Sequence, residues 1–403
     1  MYLLSDAKYK TDAPWEKSFT YRLRKLGYGR KTGRKNVVYI YERPDTSTFR
    51  YRVYNVCKSL ETSEVWNGTY FYGCSELDDI YPFTNLIDLV VIVRHRWTFE
   101  LEKAILNFKN RNIKIVFDTD DLIFSIKYLP LLINTLAIQV KSGEEALRWD
   151  LDTGYENYCS IVSRIYLTAL RAEAFITTNE YLGSKITELF NKPFNIIPNY
   201  LNNQQEKLSE KYYLEKSSSE SVKPFVIGYF SGSPSHKNDF LSIAAELKKL
   251  LDDFPNIILR IVGFIELPLE MSELRNIGRI QTLPLQNFLE LQKSIAEADV
   301  NIVPLIENEF TNCKSELKFF EASIVGTVTC AAPTFIFKNV IKNGENGYLC
   351  SQGEWYDTIK QLYTKGIPKE VCINAYKFRS EKYGSDKQTR LIEDVFNKIY
   401  MGK

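Results

Sequence analysis

The sequence predicts two doubly wound α/β domains with a cleft between them. Short apolar runs rich in Val, Ile and Tyr alternate with helix-like stretches in both halves of the chain, as in parallel sheets covered on both faces. The 403 residues exceed one ordinary core, and a polar stretch near the middle separates the two alternating series. Open sheets of this kind bind ligands at the carboxyl ends of their strands, so we expect the site in the cleft.

The first half is predicted to form one domain over residues 1–205. Strands are expected at 37–41, 69–72, 89–93, 113–117, 174–177 and 195–197, with helices at 50–60 and 99–108. Between residues 123 and 171 the spacing lengthens and includes a long helix over 158–170. This pattern indicates an insertion with a surface role of its own.

The second half repeats the alternation after a polar stretch over 206–222, which is predicted to be an interdomain linker. Strands are expected at 225–229, 257–262, 279–283, 300–303 and 327–330, and helices at 240–251, 285–298 and 315–324. These elements give a second domain over 223–384. A last helix over 385–400, in the segment 385–403, is expected to cross back to the first domain.

Bulk composition excludes several classes of protein. Fifty-two basic and fifty acidic residues nearly cancel, so no global charge favours a nucleic-acid partner. The seven cysteines are odd in number, widely spaced and without CxxC pairs, which is typical of free thiols in a reducing compartment. There is no secretory signal pattern and no run of eighteen apolar residues. We therefore expect a cytoplasmic protein.

One local stretch departs from this charge balance. Residues 17–35 hold eight basic residues and no acidic one, interleaved with aromatic and aliphatic side chains. The basic residues are Lys17, Arg22, Arg24, Lys25, Arg30, Lys31, Arg34 and Lys35. Two interpretations stay open: a segment that lies on an anionic membrane surface, on the inner face of the cell membrane, or a solvated arm ahead of the first strand.

The helix predicted over 315–324 carries a carboxylate on its apolar stripe. Leu317, Phe320, Glu321 and Ile324 follow the helical spacing i, i+3, i+4 and i+7. A buried carboxylate needs donors or a cation, which a polar ligand or a structural ion pair can supply. Lys314 lies seven residues earlier, about 10 Å along the axis. That separation suits a nucleotide whose diphosphate meets Lys314 and whose ribose meets Glu321.

A second candidate segment follows the strand at 225–229. Small residues and hydroxyls occupy the turn into the next helix, where backbone amides favour an anion, although the segment matches neither GxGxxG nor a P-loop. The candidate donor-binding residues in this turn are Gly228, Ser231, Gly232, Ser233, His236 and Lys237. His236 is equally well explained as a structural residue at a helix start.

Two further candidates lie after strands of the first domain. Asp118 and Asp120 form a DxD, for which three interpretations stay open: a divalent metal site, acceptor-side catalysis, or helix capping. His95 follows the strand at 89–93 and is placed to orient an acceptor hydroxyl. We predict catalytic roles for these three residues and for Lys314, and no resident metal.

Several of these segments together resemble a known family. The stretches 227–236, 312–322 and 343–349 resemble the donor half of group 1 glycosyltransferases, which have the GT-B fold of two Rossmann-like domains. The stretches 116–124, 177–182 and 197–199 are similar to the acceptor half of polysaccharide-assembling members, including rhamnosyltransferases. The resemblance covers about residues 36–350 and is specific only in combination.

The resemblance implies metal-independent transfer of a sugar from a UDP-, dTDP- or GDP-sugar, without a cofactor. The implied acceptor is a saccharide, glycolipid or glycoprotein in bacterial surface glycan assembly. Glu321 matches the glutamate that holds the ribose, and Lys314 with Ser315 matches the diphosphate end. The loop 228–235 would face the same diphosphate, and fixed donors there would stabilise the leaving group.

Cys313 departs from the family pattern. Many members carry a second glutamate eight positions before the ribose-binding one, where this chain has Cys313. The contact with the donor sugar then passes to Glu316 or Lys314, or the donor differs. The departure also supports an alternative, a glycosyltransferase-like subunit that binds a glycan or a partner without catalysis.

Overall fold

The protein forms two parallel six-stranded sheets flanked by helices, which confirms the predicted fold class. The computed structural model describes residues 13–45, 47–136, 155–217, 223–231, 237–263, 265 and 267–402. We call the part around the first sheet, residues 13–202, the N-terminal lobe, and the part around the second, residues 223–383, the C-terminal lobe. The finer domain boundaries at 205 and 223 stay predictions.

The N-terminal sheet has the strand order β2-β1-β3-β4-β5-β6. Its strands are β1 (Lys35–Tyr41), β2 (Trp66–Tyr72), β3 (Leu89–Val93), β4 (Lys114–Thr119), β5 (Ala174–Thr177) and β6 (Phe194–Ile196). The helices are α1 (Phe19–Lys31), α2 (Asn55–Ser59), α3 (Leu77–Ile80), α4 (Phe99–Asn110), α5 (Leu129–Thr135), α6 (Tyr155–Leu170) and α7 (Glu180–Phe190). A π-helical turn, Arg50–Tyr54, leads into α2.

The C-terminal sheet has the order β12-β11-β10-β7-β8-β9. Its strands are β7 (Phe225–Phe230), β8 (Ile257–Val262), β9 (Ile280–Leu283), β10 (Val300–Val303), β11 (Val328–Ala331) and β12 (Tyr348–Leu349). Helix α8 (Asn203–Ser217) precedes this sheet. The lobe's helices are α9 (Lys237–Leu241), α10 (Ala244–Asp253), α11 (Ser272–Asn276), α12 (Phe288–Ala296), α13 (Glu309–Asn312), α14 (Leu317–Ser323), α15 (Phe335–Val340), α16 (Trp355–Lys365) and α17 (Lys369–Tyr383). The last helix is α18 (Ser385–Met401).

All predicted strands are present, with bounds that shift by at most three residues. The sequence missed β12, which is too short to show a periodic pattern. The helix predicted over 240–251 is two helices, α9 and α10, and most of the polar stretch over 206–222 is the helix α8. The seven cysteines are free, as expected.

The basic stretch 17–35 is not a solvated arm, because residues 19–31 form helix α1 and pack on the first sheet. Arg22 is buried and forms a two-pronged ion pair with Glu76. Arg30 pairs with Asp88 at 3.0 Å. Within the part of the chain that the structure describes, no helix combines the length and the apolar character needed to cross a membrane.

The chain passes between the lobes twice. Helix α8 leads from the N-terminal lobe to the C-terminal lobe, and α18 packs back on the first sheet, where Trp66 Nε1 donates to Asn397 Oδ1 at 3.0 Å. The two crossings meet at Glu206 of α8. Its carboxylate pairs with Arg379 of α17 and accepts from the backbone N–H of Ser385 at 3.3 Å.

The strand order reverses once in each sheet, between β1 and β3 and between β7 and β10. At such a switch point the loops after two neighbouring strands diverge and leave a crevice beyond the carboxyl ends. The fold therefore provides one natural ligand position in each lobe.

Candidate functional site

A buried carboxylate of the C-terminal lobe meets a tyrosine of the N-terminal lobe. Glu321, on α14, is 5% exposed, and its Oε1 accepts a hydrogen bond from Tyr51 Oη at 2.5 Å. Burial and the nearby carboxylate raise the pKa of Tyr51, so its hydroxyl is protonated at neutral pH and donates. Among the described residues nothing donates to Glu321 Oε2. One oxygen is fixed and the other is available to a ligand hydroxyl.

Arg50 brings a buried positive charge to the same carboxylate. It is 5% exposed, and its Nη2 lies 4.0 Å from Glu321 Oε1. The guanidinium lies 4.2 Å from the ring centre of Tyr51 and 5.1 Å from that of Phe288. Its Nε and Nη1 are buried without a hydrogen-bond partner among the described residues. Sequence reasoning missed Arg50 and Tyr51, because nothing local marks contacts that span 270 positions.

Lys314 also bridges the lobes. Its Nζ lies 3.2 Å from Asp121 Oδ1 and 4.7 Å from the ring centre of Phe310. Asp121 also pairs with Arg94, at 3.3 Å. Lys314 is partly accessible at the boundary of the lobes, and its partner Asp121 also pairs with Arg94. The ammonium group of Lys314 is therefore not fully neutralised and can bind an anion in the cleft.

Two asparagines of the N-terminal lobe hold the chain around Lys314. Asn179 Nδ2 donates to the carbonyl oxygens of Cys313 at 2.9 Å and Lys314 at 3.2 Å. Asn199 Nδ2 donates to Ser315 Oγ at 3.1 Å. Both asparagines belong to the upstream segments that resemble the acceptor half of the family. Their observed contacts position the segment 313–315 rather than an acceptor.

Cys313, the residue that departs from the family pattern, packs in the hydrophobic core. Cys313 is fully buried in the apolar cluster of the N-terminal lobe, and burial raises the pKa of its thiol. Glu316, which we expected as one substitute for the missing glutamate, is buried and accepts a hydrogen bond from Tyr383 of α17. That contact turns Glu316 toward α17, so of the two expected substitutes only Lys314 faces the other lobe.

Lys318 is a site residue that the sequence reasoning missed. Its Nζ donates to the carbonyl oxygen of Phe230, at the end of β7, and burial lowers its pKa. A signal was available, because Lys318 lies four residues after Lys314 and three before Glu321. Lys318 and Glu321 are one turn apart on α14, whereas Lys314 precedes the helix.

Gly228 has a packing reason rather than the ligand contact we expected. It lies inside β7, where an added Cβ would come within 2.6 Å of the Phe230 ring and 3.0 Å of Ala298 Cβ. The close approach that requires a glycine is therefore between β7 and its own neighbours.

The rest of the turn after β7 is partly described. Ser231 is buried, and its backbone N–H donates to Val262 O at 2.8 Å, which extends the β7–β8 ladder. Lys237 is the first residue of α9. The other predicted donor-binding residues of this turn lie outside the described residues: Gly232, Ser233 and His236.

Asp118, predicted as a metal ligand, acceptor-side group or cap, has a structural role instead. Its carboxylate receives Arg52 Nε at 2.8 Å and Nη2 at 2.9 Å, and both side chains are buried. Arg52 Nη1 also donates to Ile197 O at 2.6 Å. This buried, two-pronged pair uses one lone pair of each carboxylate oxygen and keeps Asp118 away from the cleft surface.

Asp120, the second acid of the DxD, points to a different partner. Its Oδ1 pairs with Arg94 at 2.9 Å, and its Oδ2 accepts from Thr48 Oγ1 at 3.2 Å. The two aspartates therefore do not converge on one point. Within the described part of the chain, no group of three or more His, Cys, Asp or Glu side chains could hold a metal ion.

His95 is buried rather than open to the cleft. Its Nδ1 lies 2.7 Å from Arg96 O, which assigns the ring proton to Nδ1, and its Nε2 lies against Gly73 in the interior. Burial lowers the pKa of the imidazole. His95 therefore does not reach an acceptor hydroxyl in this arrangement, which corrects the expectation from sequence.

A cavity of about 540 Å³ lies at the switch point of the N-terminal sheet. One wall is apolar and comes from the insertion: Ile123, Leu132, Leu136, Ile161, Val162 and Ile165. The opposite wall is charged and follows β1 and β3: Glu42, Arg43, Asp45, Arg94 and Arg96. The cavity can therefore hold a molecule with one polar and one apolar side.

Solved structures share this fold over most of the chain. HepE of Anabaena, in complex with UDP and glucose, has a TM-score of 0.59 at 13% identity, and the match covers 90% of this chain and 100% of HepE. Sucrose-phosphate synthase of Thermosynechococcus elongatus has a TM-score of 0.57 at 12% identity and covers 92% and 100%. A glycosyltransferase of Rickettsia africae has a TM-score of 0.59 at 14% identity and covers 91% and 99%. No protein-family model and no curated protein matches the sequence. At these identities the likeness establishes that the chain has the GT-B fold.

Proposed function

We propose that this protein is a glycosyltransferase that moves a sugar from a nucleoside-diphosphate sugar to a saccharide acceptor. The observation that carries the proposal is Glu321, a buried carboxylate on the short helix α14 with one oxygen fixed by Tyr51 and the other without a donor among the described residues. A carboxylate oxygen of this kind is a strong acceptor for a ribose hydroxyl. The HepE structures with the same fold bind UDP and UDP-glucose.

The leaving group of such a reaction is a nucleoside diphosphate, whose charge rises as the glycosidic bond breaks. Lys314 and Lys318 lie seven and three residues before Glu321 and are the cations closest to it along this segment. Preorganised cations aimed at a developing charge commonly supply more of an enzyme's rate enhancement than any other single effect. In this proposal they stabilise the diphosphate without a metal, together with the turn after β7.

The cavity of the N-terminal lobe is the proposed acceptor site. Its charged wall suits sugar hydroxyls, and its apolar wall suits the carrier on which a growing glycan is assembled. Arg43 is exposed and makes no ion pair within the described residues, so it can receive an anionic group of a lipid-linked or protein-linked glycan. The proposed setting is surface glycan assembly in a bacterium.

An exposed face of α1 supports a peripheral position on an anionic membrane. Tyr21, Arg24, Tyr28 and Lys31 are exposed and follow helical spacing along one face, and the exposed Lys17 lies just before the helix. Basic and aromatic side chains together favour the headgroup region of a bilayer. Flotation with vesicles of phosphatidylglycerol should carry the protein upward and fail after joint substitution of Lys17, Arg24 and Lys31 by Gln. Equal flotation of the variant would reject this position.

Calorimetry with UDP, dTDP and GDP tests the donor assignment. Glu321→Ala should weaken binding of the preferred nucleotide by about tenfold to a hundredfold, because one charge-assisted hydrogen bond is worth about 1.5–3 kcal/mol. The exposed Glu370→Ala is the matched control and should leave affinity unchanged. Unchanged affinity in Glu321→Ala would contradict the proposed function.

A second candidate is a subunit that binds nucleotide or glycan without transferring sugar. It is favoured by Cys313, which places an apolar thiol where many family members have a carboxylate. Incubation of the purified protein with UDP-, dTDP- and GDP-sugars separates the two functions. Released nucleoside diphosphate supports the enzyme, whereas nucleotide binding without release supports the subunit.

A further inference from the structure

We propose that Arg50 is a donor-binding residue supplied by the N-terminal lobe, and that its Nε and Nη1 donate to oxygen atoms on the nucleoside part of the bound nucleotide. This inference rests on the proposed function, because it takes Glu321 as the ribose ligand. Arg50 lies beside that carboxylate, with Nη2 4.0 Å from Oε1. With Arg50 in this role, the N-terminal lobe, which holds the proposed acceptor site, also contributes a residue to the donor site.

The contacts that Arg50 makes with described residues, one distant ion pair and two aromatic rings, leave its hydrogen-bonding capacity mostly unused. A guanidinium has five N–H donors and no acceptor, and a buried charged group without hydrogen bonds is costly. The one nearby carboxylate oxygen already accepts from Tyr51 at 2.5 Å. Nε and Nη1 of Arg50 have no partner among the described residues. A ligand with oxygen acceptors would satisfy them.

Arg52 shows what a structural arginine in this turn looks like. It is two residues further along the same π-helical turn and is also buried. Each of its three guanidinium nitrogens has a partner: Asp118 takes Nε and Nη2, and Ile197 O takes Nη1. The contrast between two neighbouring buried arginines indicates that Arg50 is not there to hold the fold.

The surroundings of Arg50 indicate which part of the ligand it meets. Its guanidinium faces the ring of Phe288, the first residue of α12, which follows the carboxyl end of β9. In the same loop, Gln286 Oε1 is also buried without a partner among the described residues. Arg50 lies near the ribose carboxylate, and the loop that carries Gln286 and Phe288 is a different loop from the turn after β7. This geometry favours the nucleoside over the diphosphate.

The site is also rigid enough for recognition. The Arg50 guanidinium contacts two aromatic rings, those of Tyr51 and Phe288. A planar fork that is already fixed loses little entropy when it forms hydrogen bonds. Because Arg50 and Tyr51 are neighbours in one turn, a single element of the N-terminal lobe contributes both to the ribose carboxylate and to the nucleoside.

Calorimetry with two kinds of probe tests the proposal. The probes are a nucleoside diphosphate (UDP, dTDP or GDP, whichever the wild type binds best) and inorganic pyrophosphate. We expect Arg50→Gln to weaken the nucleoside diphosphate at least tenfold and to leave pyrophosphate within twofold of wild type. Arg50→Lys keeps the charge without the fork and should give an intermediate loss. The exposed Arg275→Gln is the matched control and should change neither affinity.

The alternatives give different patterns. Equal loss of both probes in Arg50→Gln would overturn the proposal in favour of a phosphate contact. A lower melting temperature of both Arg50 variants with unchanged affinities would overturn it in favour of a structural role. If Glu321→Ala weakens the nucleotide and Arg50→Gln does not, only the Arg50 proposal fails. If no nucleotide binds the wild type, both proposals fail.

Discussion

Tyr51 and Glu321 are 270 residues apart in the chain, yet their side chains form one buried hydrogen bond between the two lobes. The bond uses only Oε1 of the carboxylate and leaves Oε2 without a donor among the described residues. The N-terminal lobe therefore orients a carboxylate that belongs to the C-terminal lobe. This link between the lobes is the basis of the first prediction.

Tyr51→Phe removes one donor from a buried carboxylate without changing the ring. We expect the free energy of unfolding to fall by about 1.5–3 kcal/mol, the usual value for a hydrogen bond to a charged group. Urea unfolding followed by fluorescence measures the change. Tyr54→Phe is the matched control, because Tyr54 is a buried tyrosine of the same turn whose hydroxyl makes no hydrogen bond among the described residues. Equal shifts in the two variants would contradict the prediction.

Lys314→Met removes the cation that lies between Asp121 and the cleft. We expect the affinity for the preferred nucleoside diphosphate to fall by about tenfold to a hundredfold, because an ammonium donates a charge-assisted hydrogen bond to phosphate. The salt dependence of binding should also become shallower. Titration calorimetry at two ionic strengths measures both effects. Lys338→Met, which removes an exposed ion pair with Glu307, should leave both unchanged.

Asp118→Asn leaves Arg52 buried beside a neutral partner. Breaking a buried pair in this way typically costs about 3–5 kcal/mol of stability. The double variant Arg52→Met, Asp118→Leu should recover much of that loss, because it removes both buried charges. Thermal unfolding of the three proteins measures the order of stability. If Asp118→Asn instead abolishes transfer at unchanged stability, the structural role of Asp118 is wrong.

His95 should make the fold sensitive to acid. Burial lowers the pKa of its imidazole below the unfolded value of about 6.5, so the unfolded chain takes up a proton first as pH falls. His95 therefore contributes stability that is lost as pH drops through that range. Urea midpoints at pH 7.5 and 5.5 should differ less in His95→Asn than in the wild type. An equal pH dependence in both proteins would show that His95 titrates normally.

The sheets were predictable from sequence because each buried parallel strand is a compact apolar run. The helices were harder to predict. For example, no glycine or proline marks the break between α9 and α10 at Ser242 and Ile243. The basic residues of α1 left a solvated arm open beside a membrane-bound segment, because the partner of Arg22 lies 54 positions away, at Glu76.

In the candidate site too, features that depend on local sequence were predictable and features that depend on distant contacts were not. The apolar stripe around Glu321 predicted a buried carboxylate correctly, since that inference needs only the local helical period. The burial of Asp118 and His95 was not foreseen, because their position after strands can be read locally whereas their burial depends on distant segments. The partner of Asp118, Arg52, is 66 positions distant. Arg50 and Tyr51 could not be found from sequence at all, because what marks them is contact with the other lobe.

The meeting of both chain crossings at Glu206 constrains how one lobe can move against the other. The two interlobe connections contact each other, because Glu206 of the first binds Arg379 and the backbone N–H of Ser385 at the start of the second. We therefore expect them to act as one hinge. Rotation of one lobe against the other then concentrates torsional change near residues 202–206 and 383–385, while both sheets move as rigid bodies. If the protein is the proposed transferase, we expect the rate of product release to be governed at this hinge, far in sequence from Lys314 and Tyr51.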